Sequence, residues 1–175
     1  MNSNDLIAII TKESRQLVGG LVEVLRTKPD TSHYHRLSEE ELFARPLAVY
    51  QRLAEWLATG DVAAVQRYAN DLGRLRCSEG IPLGQVVLAL ILTESHLWQY
   101  LRDVPGSSDE KLRRTVADFF QEVIYSTAHG YEAALAAAGS TGQKASVPEP
   151  RKPQTRLQES ELEISRGGEV GETSG

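Results

Sequence analysis

The chain has 175 residues, 41% hydrophobic and 25% charged, with a net charge of −5. That is the balance of a soluble globular protein with room for one domain and an additional tail. The acidic excess and the lack of a Lys/Arg cluster argue against a nucleic-acid partner. The longest apolar run, Val86 to Leu92, falls far short of the roughly 20 residues a membrane span requires.

The opening MNSNDLIAIITKES has no basic leader region. Its apolar residues then recur at three and four, the helical period, with Leu6, Ile10, Leu17, Leu21 and Val24 on one stripe. Pro29 disfavours helix in the residue before it, so the first helix is expected to stop near Thr27. A polar loop with His33, Tyr34 and His35 follows.

Ser38 and Glu41 form a capping-box pair for the next segment. Pro46 lacks an N–H and is comfortable only in a first turn. The reading is therefore a short helix, a corner, and then a helix with Val49, Tyr50, Leu53, Trp56 and Leu57 inward, ended by Gly60 in a left-handed conformation. Asp61 caps a third helix with the stripe Val62, Val65, Tyr68 or Ala69, Leu72, Leu75 and Arg76, ended at Gly80.

Pro82 begins the next helix, with Leu83, Val87, Leu90, Glu94, Leu97, Trp98 and Leu101 in line. After Pro105-Gly106, Ser107 and Glu110 repeat the capping-box pattern. The last helix runs through Leu112, Val116, Phe119, Phe120, Val123, Ile124, Thr127, Tyr131 and Leu135 and fades near Gly139. The expected fold is all-α, five to six helices around one core over residues 1–139. Residues 140–175 are rich in Gly, Ser, Glu, Pro and Lys, the composition of a disordered tail. Within it LQESELEI (157–164) has the pattern of a transient helix or docking motif.

The chain carries no Gly-rich phosphate loop, Cys-x-x-Cys, His-Glu-x-x-His or Gly-x-Ser-x-Gly elbow, so no enzyme, metal site or cofactor is expected. The lone Cys77 makes no internal disulfide, which points to a reducing, cytoplasmic setting. It lies beside Arg74 and Arg76, cations that lower a thiol pKa, but no resolving thiol accompanies it.

His96 and His129 raise the question of haem ligation, which needs an axial histidine facing a large apolar cavity. Arg76 and Glu94 each hold a position their helices otherwise fill with apolar residues. Buried charges must be paired or neutralised. Either they belong to ion pairs, with Arg76 snorkelling at a helix end, or with His96 and Trp98 they line a cavity or interface that receives a signal.

The block Gly60-Asp61, Tyr68-Ala-Asn-Asp-Leu-Gly73, Arg76, Glu79-Gly80, Leu83 and Val86 to Trp98, together with Leu42, Pro46 and Trp56-Leu-Ala-Thr-Gly-Asp61 upstream, resembles the N-terminal domain of RsbR-type stressosome co-antagonists (RsbRD). Related domains precede some sensor histidine kinases. The resemblance covers roughly residues 5–138 and implies a globin-like helical domain, typically dimeric and without haem, that serves as a sensory or regulatory input module. No kinase and no phosphorylatable anti-anti-sigma segment follows the block. Output is therefore expected to pass through the tail or a partner, a kinase or stressosome-type component, with a homodimer built on the first and last helices. The alternative reading is a haem- or small-ligand-binding globin-like sensor.

Overall fold

The computed structural model describes residues 1–107 and 109–143, with side chains up to residue 139 apart from residue 108. Among the described residues there are five α-helices and no strand: α1 (Ser3–Thr27), α2 (Glu39–Thr59), α3 (Val62–Ser78), α4 (Leu83–Tyr100) and α5 (Glu110–Gln143). Two 3₁₀ turns, Pro29–Thr31 and Tyr34–Arg36, connect α1 to α2. No described helix is long and apolar enough to cross a membrane. α5 continues past residue 139, and the segment LQESELEI lies outside the described residues.

Local chemistry sets most boundaries. Asn2 and Asp5 form a capping box at α1, and Ser38 and Glu41 form the expected one at α2. The Asp61 carboxylate accepts from the Ala64 N–H at 3.0 Å. Gly60 and Gly80 take positive φ after α2 and α3, a conformation that costs glycine little. The cap of α5 differs from expectation. The Leu112 N–H donates to Asp109 Oδ1 at 2.9 Å, so Asp109 fills the role that the pattern assigns to Ser107.

Pro46 does not break α2. The helix runs through it, and Pro46 is buried inside. Its missing N–H leaves the Leu42 carbonyl without its helical donor. Burial of Leu42, Val49, Tyr50 and Leu53 on the same face holds the segment helical across the gap. The linker to α2 is also more than a polar loop, because Thr31 and Tyr34 are buried. The Thr31 hydroxyl donates to the Leu25 carbonyl at 2.8 Å, closing the end of α1.

The core gathers one face from each helix: Leu6 to Leu25 of α1, Leu42 to Leu53 of α2, Val65 and Ala69 of α3, Val86 to Leu97 of α4, and Leu112 to Val123 of α5. Phe119 and Phe120 meet edge to face at 5.3 Å inside it, and the partly buried Trp56 packs tilted against Phe119. α4 is turned by about one residue from the expected stripe. Its buried positions are Val86, Ala89, Leu90, Thr93 and Leu97, while Leu83, Val87, Glu94 and Trp98 are half-buried.

α3 and α5 approach backbone to backbone. A Cβ on Gly73 would overlap the Thr127 carbonyl oxygen, and one on Gly130 would overlap the Asn70 carbonyl oxygen. The Tyr131 hydroxyl adds a 2.9 Å bond to the Ile81 carbonyl, tying α5 to the corner that precedes α4.

Candidate functional site

The four residues singled out from the sequence fall in three separate places. Arg76, in the last turn of α3, lines a small, partly open cavity of about 30 Å³ with Tyr34, Arg45, Pro46, Thr93 and apolar residues of α1–α4. Glu94 and Trp98 line an open groove between α4 and the first half of α5. His96 points to the other side of α4, against Gly20 of α1.

At the cavity, Arg76 is only 7% exposed. Its counterpart is not Glu94 but Glu79, one turn later on the same chain. Arg76 Nη1 donates to both carboxylate oxygens at 2.9 and 3.1 Å. Arg45 of α2 grips the same carboxylate end-on, Nη1 to Oε2 at 2.9 Å and Nη2 to Oε1 at 3.1 Å. Two guanidiniums thus share one carboxylate, and the cluster carries a net positive charge.

Arg45 also lies 6.0 Å from the ring centre of Tyr34. Burial pushes the Tyr34 hydroxyl up from its ordinary pKa, against the lowering pull of Arg76 and then Arg45. Tyr34 is therefore a neutral donor at physiological pH. Nearby, the Tyr50 hydroxyl donates to the Thr93 carbonyl at 2.9 Å, and the Thr93 hydroxyl donates to the Ala89 carbonyl at 2.7 Å. The first of these bonds links α2 to α4 at the cavity wall.

In the open groove, burial raises the Glu94 pKa. The Trp98 indole N–H and the Arg113 guanidinium act in the opposite direction. Arg113 stacks over the Trp98 ring at 4.5 Å. Glu110, Arg113, Arg114 and Asp118 complete a wall of mixed charge. Glu94 and Trp98 are thus a surface cluster of the α4–α5 groove, apart from the Arg76 cavity.

Both ring nitrogens of His96 are shielded from solvent without a hydrogen bond of good geometry. Desolvation lowers its pKa, partly offset by the Leu17 carbonyl. A Cβ added to Gly20 would stand 2.8 Å from the His96 ring, so the glycine makes room for the imidazole. His96 does not line the Arg76 cavity, and His129 is exposed. Among the described residues no group of three or more His, Cys, Asp or Glu is placed to hold a metal.

Reasoning from sequence missed Tyr34, Arg45, Glu79 and Thr93 as cavity partners. Glu79 had a signal, since it stands three residues after Arg76 on the same helix end. Arg45 and Tyr34 had none, because their approach depends on how α2 packs.

No curated protein and no solved structure matches this chain. A family model described as the RsbT co-antagonist protein rsbRD N-terminal domain matches residues 15–146. That span takes in the 3₁₀ turns, helices α2 to α4, the cavity and the groove. The chain belongs to the RsbRD N-terminal domain family.

Proposed function

We propose that this chain is a non-catalytic input domain of a stressosome-type signalling system in the cytoplasm. It acts by forming a homodimer and by docking a signalling partner, a kinase or a stressosome-type component. The family match over residues 15–146 carries this reading. A signal would shift the chain between two helix packings, and it can do so only by binding one of them more tightly.

The surface available for association differs from that expected. None of the large apolar side chains left exposed lies on α1. Those that are exposed include Tyr125 at 71% and Leu135 at 58% on α5, with Ile91 on α4 and Val62 and Leu75 on α3. The dimer is therefore proposed on α5. Sedimentation equilibrium of the full chain tests it. A concentration-dependent dimer weakened by Tyr125→Ser with Leu135→Ser is expected, and a strict monomer at high concentration removes this part.

The Arg76 cavity favours a second reading, a small-ligand sensor. Its volume of about 30 Å³ is far below the roughly 300–1,000 Å³ of pockets that take large organic ligands, so this reading concerns a few-atom ligand rather than haem. An absorption spectrum after haem reconstitution checks the point. A Soret band sensitive to His96→Ala would reinstate haem.

A further inference from the structure

Arg76 is buried, yet its hydrogen-bonding capacity is only partly used. A guanidinium offers an end-on edge, Nη1 with Nη2, and a side-on edge, Nε with Nη2. Arg45 spends its end-on edge on Glu79. Arg76 reaches Glu79 through Nη1 alone. Among the described residues no hydrogen bond engages its Nε or Nη2.

Tyr34 is in the same condition. It is 4% exposed, lines the same cavity, and its hydroxyl makes no hydrogen bond among the described residues. The cavity therefore joins an unused planar donor pair, an unused hydroxyl and an excess positive charge to a wall of Leu25, Val49, Leu90 and other apolar groups. A guanidinium fork matches a carboxylate in shape and charge, and neither this edge nor the Tyr34 hydroxyl is claimed by another described group. A water needs about 10–15 Å³ of cavity space, so the cavity takes the place of two or so waters.

We propose that this cavity binds a short-chain monocarboxylate of the size of formate or acetate. The carboxylate is held side-on by Arg76 Nε and Nη2 and accepts from the Tyr34 hydroxyl, with the alkyl end against Leu25 and Leu90. The ligand bridges α1, the second 3₁₀ turn, α2, α3 and α4, so it favours the packing in which these elements close on the cavity. This last consequence rests on the input-domain reading; the binding itself does not.

Titration calorimetry of the full chain with sodium formate and sodium acetate tests the site, with sodium chloride at matched ionic strength as control. Saturable one-to-one binding in the millimolar range is expected, with chloride failing to compete. Arg76→Lys keeps the charge but loses the fork, and it should weaken binding at least about tenfold. Tyr34→Phe should weaken it several-fold. Should Arg76→Lys unfold in a thermal scan, the Tyr34→Phe result stands alone as the test. No saturable heat, equal competition by chloride, or unchanged binding in a folded variant overturns the proposal. Saturable acetate binding that leaves dimerisation and partner docking unchanged supports the site and counts against the regulatory reading.

Discussion

Where α3 meets α5, glycine faces main chain and no side chain fits between. Where α2 faces α3 and α4, a prolyl gap, a cavity of about 30 Å³ and the Glu79 carboxylate shared by Arg45 and Arg76 lie between the helices. The first interface has one arrangement, because a backbone contact without intervening side chains has nothing to repack. The second has groups that can trade partners: two guanidiniums, a carboxylate, a free tyrosyl hydroxyl and a carbonyl that has lost its helical donor. Under the proposed input-domain reading, the stiff pair of helices is the scaffold and the adaptable layer the receiver.

Substitutions should separate the two regions by size of effect. Gly73→Ala is the harshest. The added methyl meets the Thr127 carbonyl, and the helix-propensity gain of about 1 kcal/mol cannot offset that overlap. We expect a net loss of about 3 kcal/mol or more, a fall of roughly 10 °C in Tm, measured by circular dichroism. A near-neutral result would show that α3 and α5 are not in backbone contact.

Glu79→Gln comes next. It leaves the Arg45 and Arg76 guanidiniums facing each other without the carboxylate. The Glu79 side chain is 29% exposed, so water screens part of the repulsion, and the loss should be about 2 kcal/mol rather than the full penalty of a buried pair. The double variant Glu79→Gln with Arg45→Gln should recover part of it in a chemical denaturation series.

How much of this was legible in the sequence depends on how far each signal reaches along the chain. Caps are local, so Ser38 with Glu41, Asp61 and Gly60 stood out. Arg76 also stood out, since a charge at the end of the Val65–Ala69 stripe breaks the pattern. Pro46 misled because its cost is local while its compensation, the burial of Leu42 and Val49, is tertiary. The face of α4 misled for another reason. Val86 to Leu92 is apolar all round, so periodicity cannot choose a side, and Glu94 was placed one position too far inward. Gly73 and Gly130 had a signal that went unread: glycine inside a helix carries a propensity cost, and tolerating it often means a close neighbour. The meeting of Tyr34 and Arg45 with Arg76 needed the fold itself.

Smaller effects concern His96 and Glu94. Folding lowers the His96 pKa below its ordinary value of 6.5, so as pH falls through that value the unfolded chain takes up a proton the folded chain resists. Stability should therefore decrease on acidification, and His96→Gln should flatten this slope between about pH 7.5 and 5. Unfolding midpoints across that range would show it, and parallel profiles for the two proteins would contradict it. Burial raises the Glu94 pKa, so the folded chain holds that proton more tightly, and the charged form costs stability above the ordinary carboxylate range. Glu94→Gln should raise stability at pH 7 by less than about 1 kcal/mol, with the gain fading as pH falls toward 4.5.

The division into a stiff and an adaptable region is tested most directly by native-state hydrogen exchange on the full chain, resolved by segment. Amides of residues 65–76 and 119–131 should exchange only through global unfolding. Those of residues 28–37 and 42–50 should exchange through local openings of lower free energy. A single opening free energy shared by both sets, or better protection at the cavity than at the glycine contact, would contradict the account.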